Sequence, residues 1–213
     1  MGDQSMEALI AALVEGDRTS AVSEAGRLIG AGVKPERIIT EGLEVAMKRL
    51  ESKCTLEQFN LLEIMVAGRA VMEVMNYVYP EGSRTVPTKG TVVIATLEGD
   101  VHDLGKNILQ MILLADGYRV VDCGKDCSIN LLVATAKREG ARAVCVSGLI
   151  TSLIPLVRQV KGTLAGAGLP GLPVIAGGAA LKMASAESLN VDCVCDSAFD
   201  AVNWLDKFGG DRA

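Results

Sequence analysis

Thr91-Val92-Val93-Ile94-Ala95-Thr96-Leu97 runs directly into Glu98-Gly99-Asp100-Val101-His102-Asp103-Leu104-Gly105. The first stretch is uncharged and rich in β-branched residues, which favours a short buried strand. The second is a polar turn, and beyond Gly105 the apolar residues recur with helical spacing, so the region reads as strand, turn, helix. His102 is the single histidine of the 213-residue chain. Imidazole chemistry near neutral pH, whether metal ligation or proton transfer, therefore rests on this one residue. Asp100, two residues earlier, is placed to bond the second ring nitrogen, and Gly105, three residues later, leaves room for a bulky ligand.

The same alternation continues to the C-terminus. Strands are expected at 91–97, 118–123, 142–147, 172–176 and 191–195, with helices near 105–115, 129–139, 153–166, 179–188 and 198–208. Five strands, each followed by a helix, imply a doubly wound parallel sheet of Rossmann or flavodoxin type. Ligands of such sheets bind beyond the carboxyl ends of the strands. The segments expected there are Asp100 to Gly105, Ser147-Gly148-Leu149-Ile150-Thr151-Ser152, Gly177-Gly178-Ala179 and Asp196-Ser197. One carries the histidine and the others carry small or hydroxyl residues, so the chemistry converges on one edge.

Upstream, residues 1–79 have a different period. Met6 to Val14 is helical and stops at Gly16-Asp17; a second helix spans Thr19 to Ile29 and stops at Gly30 to Gly32. Pro35 suits the first turn of a third helix, in which Ile38, Ile39, Leu43, Met47 and Leu50 recur at three- and four-residue steps. A fourth is expected from about Thr55, with Glu57 and Gln58 close behind, through Met75 to Tyr79. Four helices with short connections make a small bundle, and the Pro- and Gly-containing segment 80–89 reads as a linker to the domain at 90–213.

Composition limits the function. Hydrophobic residues make up 49% of the chain but aromatics only 3%, so the cores are aliphatic. A formal charge of −5 argues against a nucleic-acid footprint. No apolar run has the length of a membrane span and the N-terminus lacks a signal pattern, which gives a cytoplasmic expectation with no membrane partner. Cys145, Cys193 and Cys195 lie in apolar strand runs, where cysteine acts as a small hydrophobe. The Cys123–Cys127 and Cys193–Cys195 spacings do not match structural zinc sites, and one histidine with scattered cysteines supplies no tetrahedral set.

Asp100-x-His102-x-x-Gly105, Ser147-x-Leu149 and Gly177-Gly178, in this order and on these strand ends, resemble the signature of the cobalamin-binding domain of methionine synthase and of the corrinoid proteins of methyltransferase systems. The preceding helical domain fits the same family, so the resemblance covers nearly the whole chain. It implies cobalamin as cofactor, bound with the dimethylbenzimidazole tail displaced and His102 as the lower axial cobalt ligand (base-off, His-on). It further implies that Asp100 tunes the ring and takes part in proton uptake as methylcobalamin, Co(III), gives way to Co(I). Gly105, Ser147, Leu149, Thr151, Gly177 and Gly178 would then contact the corrin or its nucleotide tail. The helical half would cap the upper face, with a subset of Phe59, Leu62, Met65, Val66 and Met72 shielding the cobalt–carbon bond; the plainer reading makes these residues bundle core. Methionine synthase extends its Asp–His relay with a serine shortly after Ser-x-Leu. An ungapped match puts Leu153 there, with Ser152 one residue early, so neither is assigned a role.

The implied function is that of a methyl carrier between a substrate-specific methyltransferase and a second methyltransferase that passes the methyl group to tetrahydrofolate or a thiol. A reductive activase would restore oxidised cobalt. Two other readings are a cobalamin-dependent sensor, which needs an output module, and the small subunit of an adenosylcobalamin mutase, which the four-helix cap does not suit. A phosphate-accepting receiver domain is excluded, because Ser147-Gly148 stands where the third strand would need its aspartate. Lys106 and Asn107 belong to the helix start, with no support for a phosphate-binding role.

Overall fold

The computed structural model describes residues 2–54, 61–80 and 89–210. The chain divides into two compact units, Met1–Ser83 and Arg84–Ala213. Most of the linker expected at 80–89 lies outside the described residues.

The first unit is helical. Helix α1 (Gly2–Glu15) buries Met6, Leu9, Ile10 and Leu13 along one face, as the sequence period requires. The turn after it uses Gly16 at φ +73°, where a Cβ would lie 2.5 Å from Val66 Cγ1; only glycine fits both the backbone and the space. Asp17 then caps α2 (Arg18–Gly30) by accepting the Ser20 N–H at 3.0 Å. Helix α2 packs through Ala21, Ala25 and Leu28. The expected third helix is present but divided: α3 (Pro35–Arg37) leads into a π-helical turn at Ile38–Leu43 and then α4 (Glu44–Cys54). Its buried side chains are Ile38, Ile39, Leu43, Ala46 and Leu50. Met47 was expected on this seam but is only half-buried. Ala46 takes the inward position, and at about 100° per residue its neighbour is turned away. Helix α5 (Leu61–Val78) buries Ala67, Ala70, Val71, Val74, Met75 and Val78. It packs on α1 and α2, while α4 packs on α1. Val66 and Met72 are half-buried. Phe59 and the expected helix start at Thr55 lie outside the described residues, as do the side chains of Leu62 and Met65.

The second unit is a five-stranded parallel sheet: β1 (Thr91–Thr96), β2 (Arg119–Asp122), β3 (Ala143–Ser147), β4 (Val174–Gly177) and β5 (Cys193–Cys195). The order β2-β1-β3-β4-β5 is the flavodoxin-like one. Helices α6 (Leu104–Ala115) and α10 (Ala198–Gly210) pack together, as do α7 (Ile129–Arg138), α8 (Ile154–Gly166) and α9 (Ala186–Leu189) in sequence. The core under α7 and α8 contains Val93, Ala95, Leu97, Val144, Val146, Leu132, Val157 and Val160. At the amino edge, Lys89 Nζ reaches Asp116 at 2.6 Å and Asp206 at 2.9 Å, and the Tyr118 hydroxyl donates to Asp206 at 2.7 Å. This polar cluster ties the entry to β1 to the end of α6 and to α10.

One expected element differs. The helix expected over 179–188 is a 3-10 turn at Leu181–Met183 followed by the single-turn α9. Ala184 between them is extended (φ −116°, ψ 153°), and Ser185 starts α9 by accepting the Ser188 N–H at 3.1 Å. A good N-cap residue inside an apolar period thus restarts the helix.

Leu132 is fully buried, whereas its neighbour Leu131 is half-exposed. Leu132→Ala is expected to destabilise the α/β unit by about 2–5 kcal/mol through the cavity it leaves. Leu131→Ala should cost less than about 0.5 kcal/mol. Urea denaturation followed by circular dichroism distinguishes the two.

Candidate functional site

Strand order reverses between β1 and β3, so the crevice of this sheet opens beyond their carboxyl ends. The β1 extension, the β3 loop and the end of β4 meet there because Thr96, Ser147 and Gly177 are register partners across three adjacent strands.

Asp100 connects two of these segments and is fully buried. Its Oδ1 lies 2.6 Å from His102 Nδ1 and also accepts the His102 N–H at 2.9 Å. Its Oδ2 accepts the Leu149 N–H at 2.8 Å. Burial by itself would raise the Asp100 pKa, but the two backbone donors, with the ring beside them, hold the carboxyl below the usual carboxylate range. An ionised Asp100 places the imidazole proton on Nδ1 and leaves the Nε2 lone pair as the donor site. The His102 side chain is 53% exposed while Asp100 has no exposure, so the ring stands out from the sheet on a buried anionic support.

A second segment, unmarked by any motif, holds the other side of this loop. The Thr96 N–H donates to Gly124 O at 3.0 Å, Cys127 N–H to Thr96 O at 3.0 Å, and Glu98 N–H to Cys127 O at 2.9 Å. Asp126, at φ +54°, donates its N–H to Asp100 O at 3.0 Å and accepts the Gly99 N–H on Oδ1 at 2.8 Å. Thr96 Oγ1, fully buried, donates to His102 O at 3.3 Å. Asp126 and Thr96 were absent from the sequence-derived site. Their role depends on contacts between distant segments, for which the local pattern carries no signal.

Gly105 is close to Ser147: a Cβ on the glycine would meet only Ser147 Oγ, at 3.8 Å. Leu149 is 39% exposed, and Thr151 and Ser152 are exposed in the 3-10 turn Thr151–Leu153. The donor at the second oxygen of Asp100 is the Leu149 N–H. The two glycines after β4 differ. A Cβ on Gly177 would make an ordinary 3.6 Å contact with Cys195 O. Gly178 has φ +97°, and a Cβ there would lie 2.5 Å from Gly148 O. Gly148 is itself enclosed, by Leu153 and Leu181, and donates to Gly177 O at 3.0 Å. The β3 and β4 loops thus pack backbone on backbone. Lys106 is 2% exposed and is committed to Asp122, with a second bond to Asn107 Oδ1 at 3.0 Å.

Among the described residues, no group of three or more His, Cys, Asp or Glu could hold a metal ion. One carboxylate-backed imidazole does suit a metal whose remaining ligands come from its own macrocycle. The fold and site therefore define an α/β ligand-binding protein that offers one carboxylate-backed imidazole at its switch point.

The chain belongs to the B12 binding domain family, which matches at residues 90–203 and, through a second B12 binding domain profile, at residues 6–79. It is a corrinoid-binding protein. It is 31% identical over 197 residues to trimethylamine corrinoid protein 2 of Methanosarcina acetivorans, covering 91% of each chain. The structure of the Methanosarcina barkeri monomethylamine corrinoid protein superposes with a TM-score of 0.83 at 26% identity, covering 96% of this chain and 98% of that one. The methanol:cobalamin methyltransferase complex MtaBC of Methanosarcina barkeri matches with a TM-score of 0.54 at 28% identity, covering 98% of this chain and 80% of its counterpart. Among the described residues, no helix is long and apolar enough to cross a membrane.

Gly178→Ala is expected to destabilise the α/β unit by about 1–3 kcal/mol, since it combines a left-handed φ with a backbone clash. Gly177→Ala should change stability by less than about 0.5 kcal/mol. Thermal unfolding of the two variants tests this asymmetry between adjacent glycines.

Proposed function

We propose that the protein is a corrinoid methyl carrier of a multi-component methyltransferase system, with His102 Nε2 as the lower axial ligand of a base-off corrinoid. The observation that carries this reading is the 2.6 Å contact between a half-exposed imidazole and a fully buried, ionised Asp100. When bound, the corrinoid would supply the methyl-transfer chemistry at its cobalt.

The residues of this chain then have separable tasks. Asp100 would hold the proton on Nδ1, which presents the Nε2 lone pair outward and strengthens it as a donor. The same buried carboxylate would balance a positive charge on the ring. The Leu149 N–H and the 124–127 segment keep Asp100 in place during either state. Gly105, Ser147, Leu149, Thr151, Gly177 and Gly178 lie along the same sheet edge and would receive the displaced tail. We read the chain as a helical cap over 1–79, a linker over 80–89 and a cobalamin-binding domain over 90–213; the two separate family matches support that division.

The names of the relatives support a substrate-specific methyltransferase as the first partner, with methylamines and methanol as the relevant donor class. A second methyltransferase acting on tetrahydrofolate or a thiol, and a reductive activase, complete the system. The cytoplasm is the compartment proposed, where the glutathione pool sets the state of thiols such as Cys123, Cys127, Cys145, Cys193 and Cys195, all free in this structure.

The test is reconstitution with hydroxocobalamin, desalting, reduction to Co(II) and EPR spectroscopy. Corrinoid should be retained, and nitrogen-15 labelling of histidine should change the axial-nitrogen splitting from three lines to two. A splitting insensitive to the label would assign the axial bond to the tail base and reject the His102 reading. His102→Ala should lose the protein-derived splitting altogether. Asp100→Asn should weaken corrinoid binding by about 10–100-fold, as loss of an outer-shell carboxylate does, measured by equilibrium dialysis.

A further inference from the structure

The sheet carries a pair of thiols that the corrinoid site does not use. Cys193 Sγ and Cys195 Sγ are 3.5 Å apart on β5, because residues two apart on a strand project from the same face. Strand β5 is the three-residue edge of the sheet and, among the described residues, pairs with β4 alone, so its other side makes no ladder bonds. Cys195 ends the strand, in register with Gly177, and Cys193 lies opposite Ile175. The two differ in access: Cys195 is 5% exposed, whereas Cys193 is partly exposed.

We propose that Cys193 and Cys195 form a reversible redox-active dithiol, closed to an intrachain disulfide by exchange with small disulfides of the glutathione class. Cys193, as thiolate, attacks one sulfur of the small disulfide; that S–S bond breaks and the first small thiolate leaves. Cys195, as thiolate, then attacks the Cys193 sulfur of the mixed disulfide and displaces the second. The two cysteines lose two electrons and two protons, and the small disulfide gains both to become two thiols. Burial raises the pKa of Cys195 and slows its ionisation, but its sulfur is already beside the one it must attack. Proximity of that kind is what makes an intramolecular exchange step outrun a second intermolecular one. Two of the other thiols are less suited. Cys145 is 2% exposed and burial pushes it up to about 12, and Cys127, also buried, is pushed up to about 11.

The proposal is independent of corrinoid binding and is tested on the full chain without added corrinoid. The reduced protein is incubated anaerobically with glutathione disulfide, quenched with an alkylating agent and digested with trypsin. Cleavage after Lys182 and Lys207 places both cysteines in one peptide. That peptide should lose both alkylation sites together and appear two hydrogens lighter, with little glutathione adduct, and reductant should restore it. In Cys195→Ser the adduct on Cys193 should persist. Cys193→Ser should react at least about tenfold more slowly, because the remaining thiol is buried. Accumulation of a stable glutathione adduct in the unsubstituted chain would overturn the proposal. So would a peptide that stays doubly alkylated while the urea-unfolded chain reacts.

Discussion

The fully buried Asp100 carboxylate is the constraint on which the rest of this site depends. A carboxylate without solvent is costly unless its lone pairs are satisfied, and here they are: His102 supplies a backbone N–H and a ring nitrogen, and Leu149 supplies a backbone N–H from another strand's loop. Those donors force the β1 and β3 loops together at the point where strand order reverses. They also fix which ring nitrogen faces inward. The chemistry available at Nε2 is therefore a consequence of how a buried charge is neutralised.

Around that carboxylate the support is almost entirely backbone. The 124–127 segment exchanges main-chain bonds with residues 96–100, and Gly178 approaches the Gly148 backbone so closely that a Cβ on Gly178 has no room. Backbone groups move less than side chains and keep their charge state, so a ring mounted on them is preorganised. Lys106 contributes from behind: its ion pair with Asp122 joins the first turn of α6 to the end of β2. A buried lysine is thus used to close the scaffold.

Much of the fold was legible in local pattern. The β-branched run at 91–97 and the short apolar run within 142–147 became β1 and β3, and the Asp-x-His-x-x-Gly spacing marked the loop that carries the imidazole. The pattern misled where short-range competition decides. Ser185 restarted a helix inside an apolar period, and a π turn divided the third helix of the bundle, with Ala46 rather than Met47 on its seam. Periodicity records which residues prefer burial; it does not record a cap or a change of helical pitch that the same residues also permit.

By itself, the sequence determined the alternation of strands and helices, the single imidazole, its carboxylate neighbour two residues away and the family to which these belong. All of these are properties of neighbours along the chain or of spacing within one element. Tertiary structure alone decided that Leu149 would donate to Asp100, that Asp126 would hold Gly99 and that Gly178 would be closed by Gly148. It also decided that Cys193 and Cys195 would meet at 3.5 Å on a half-covered edge strand. The first three join residues far apart in the chain, and strand order and register set which of them meet. The last depends on side-chain geometry and on what covers the strand, which spacing alone does not specify.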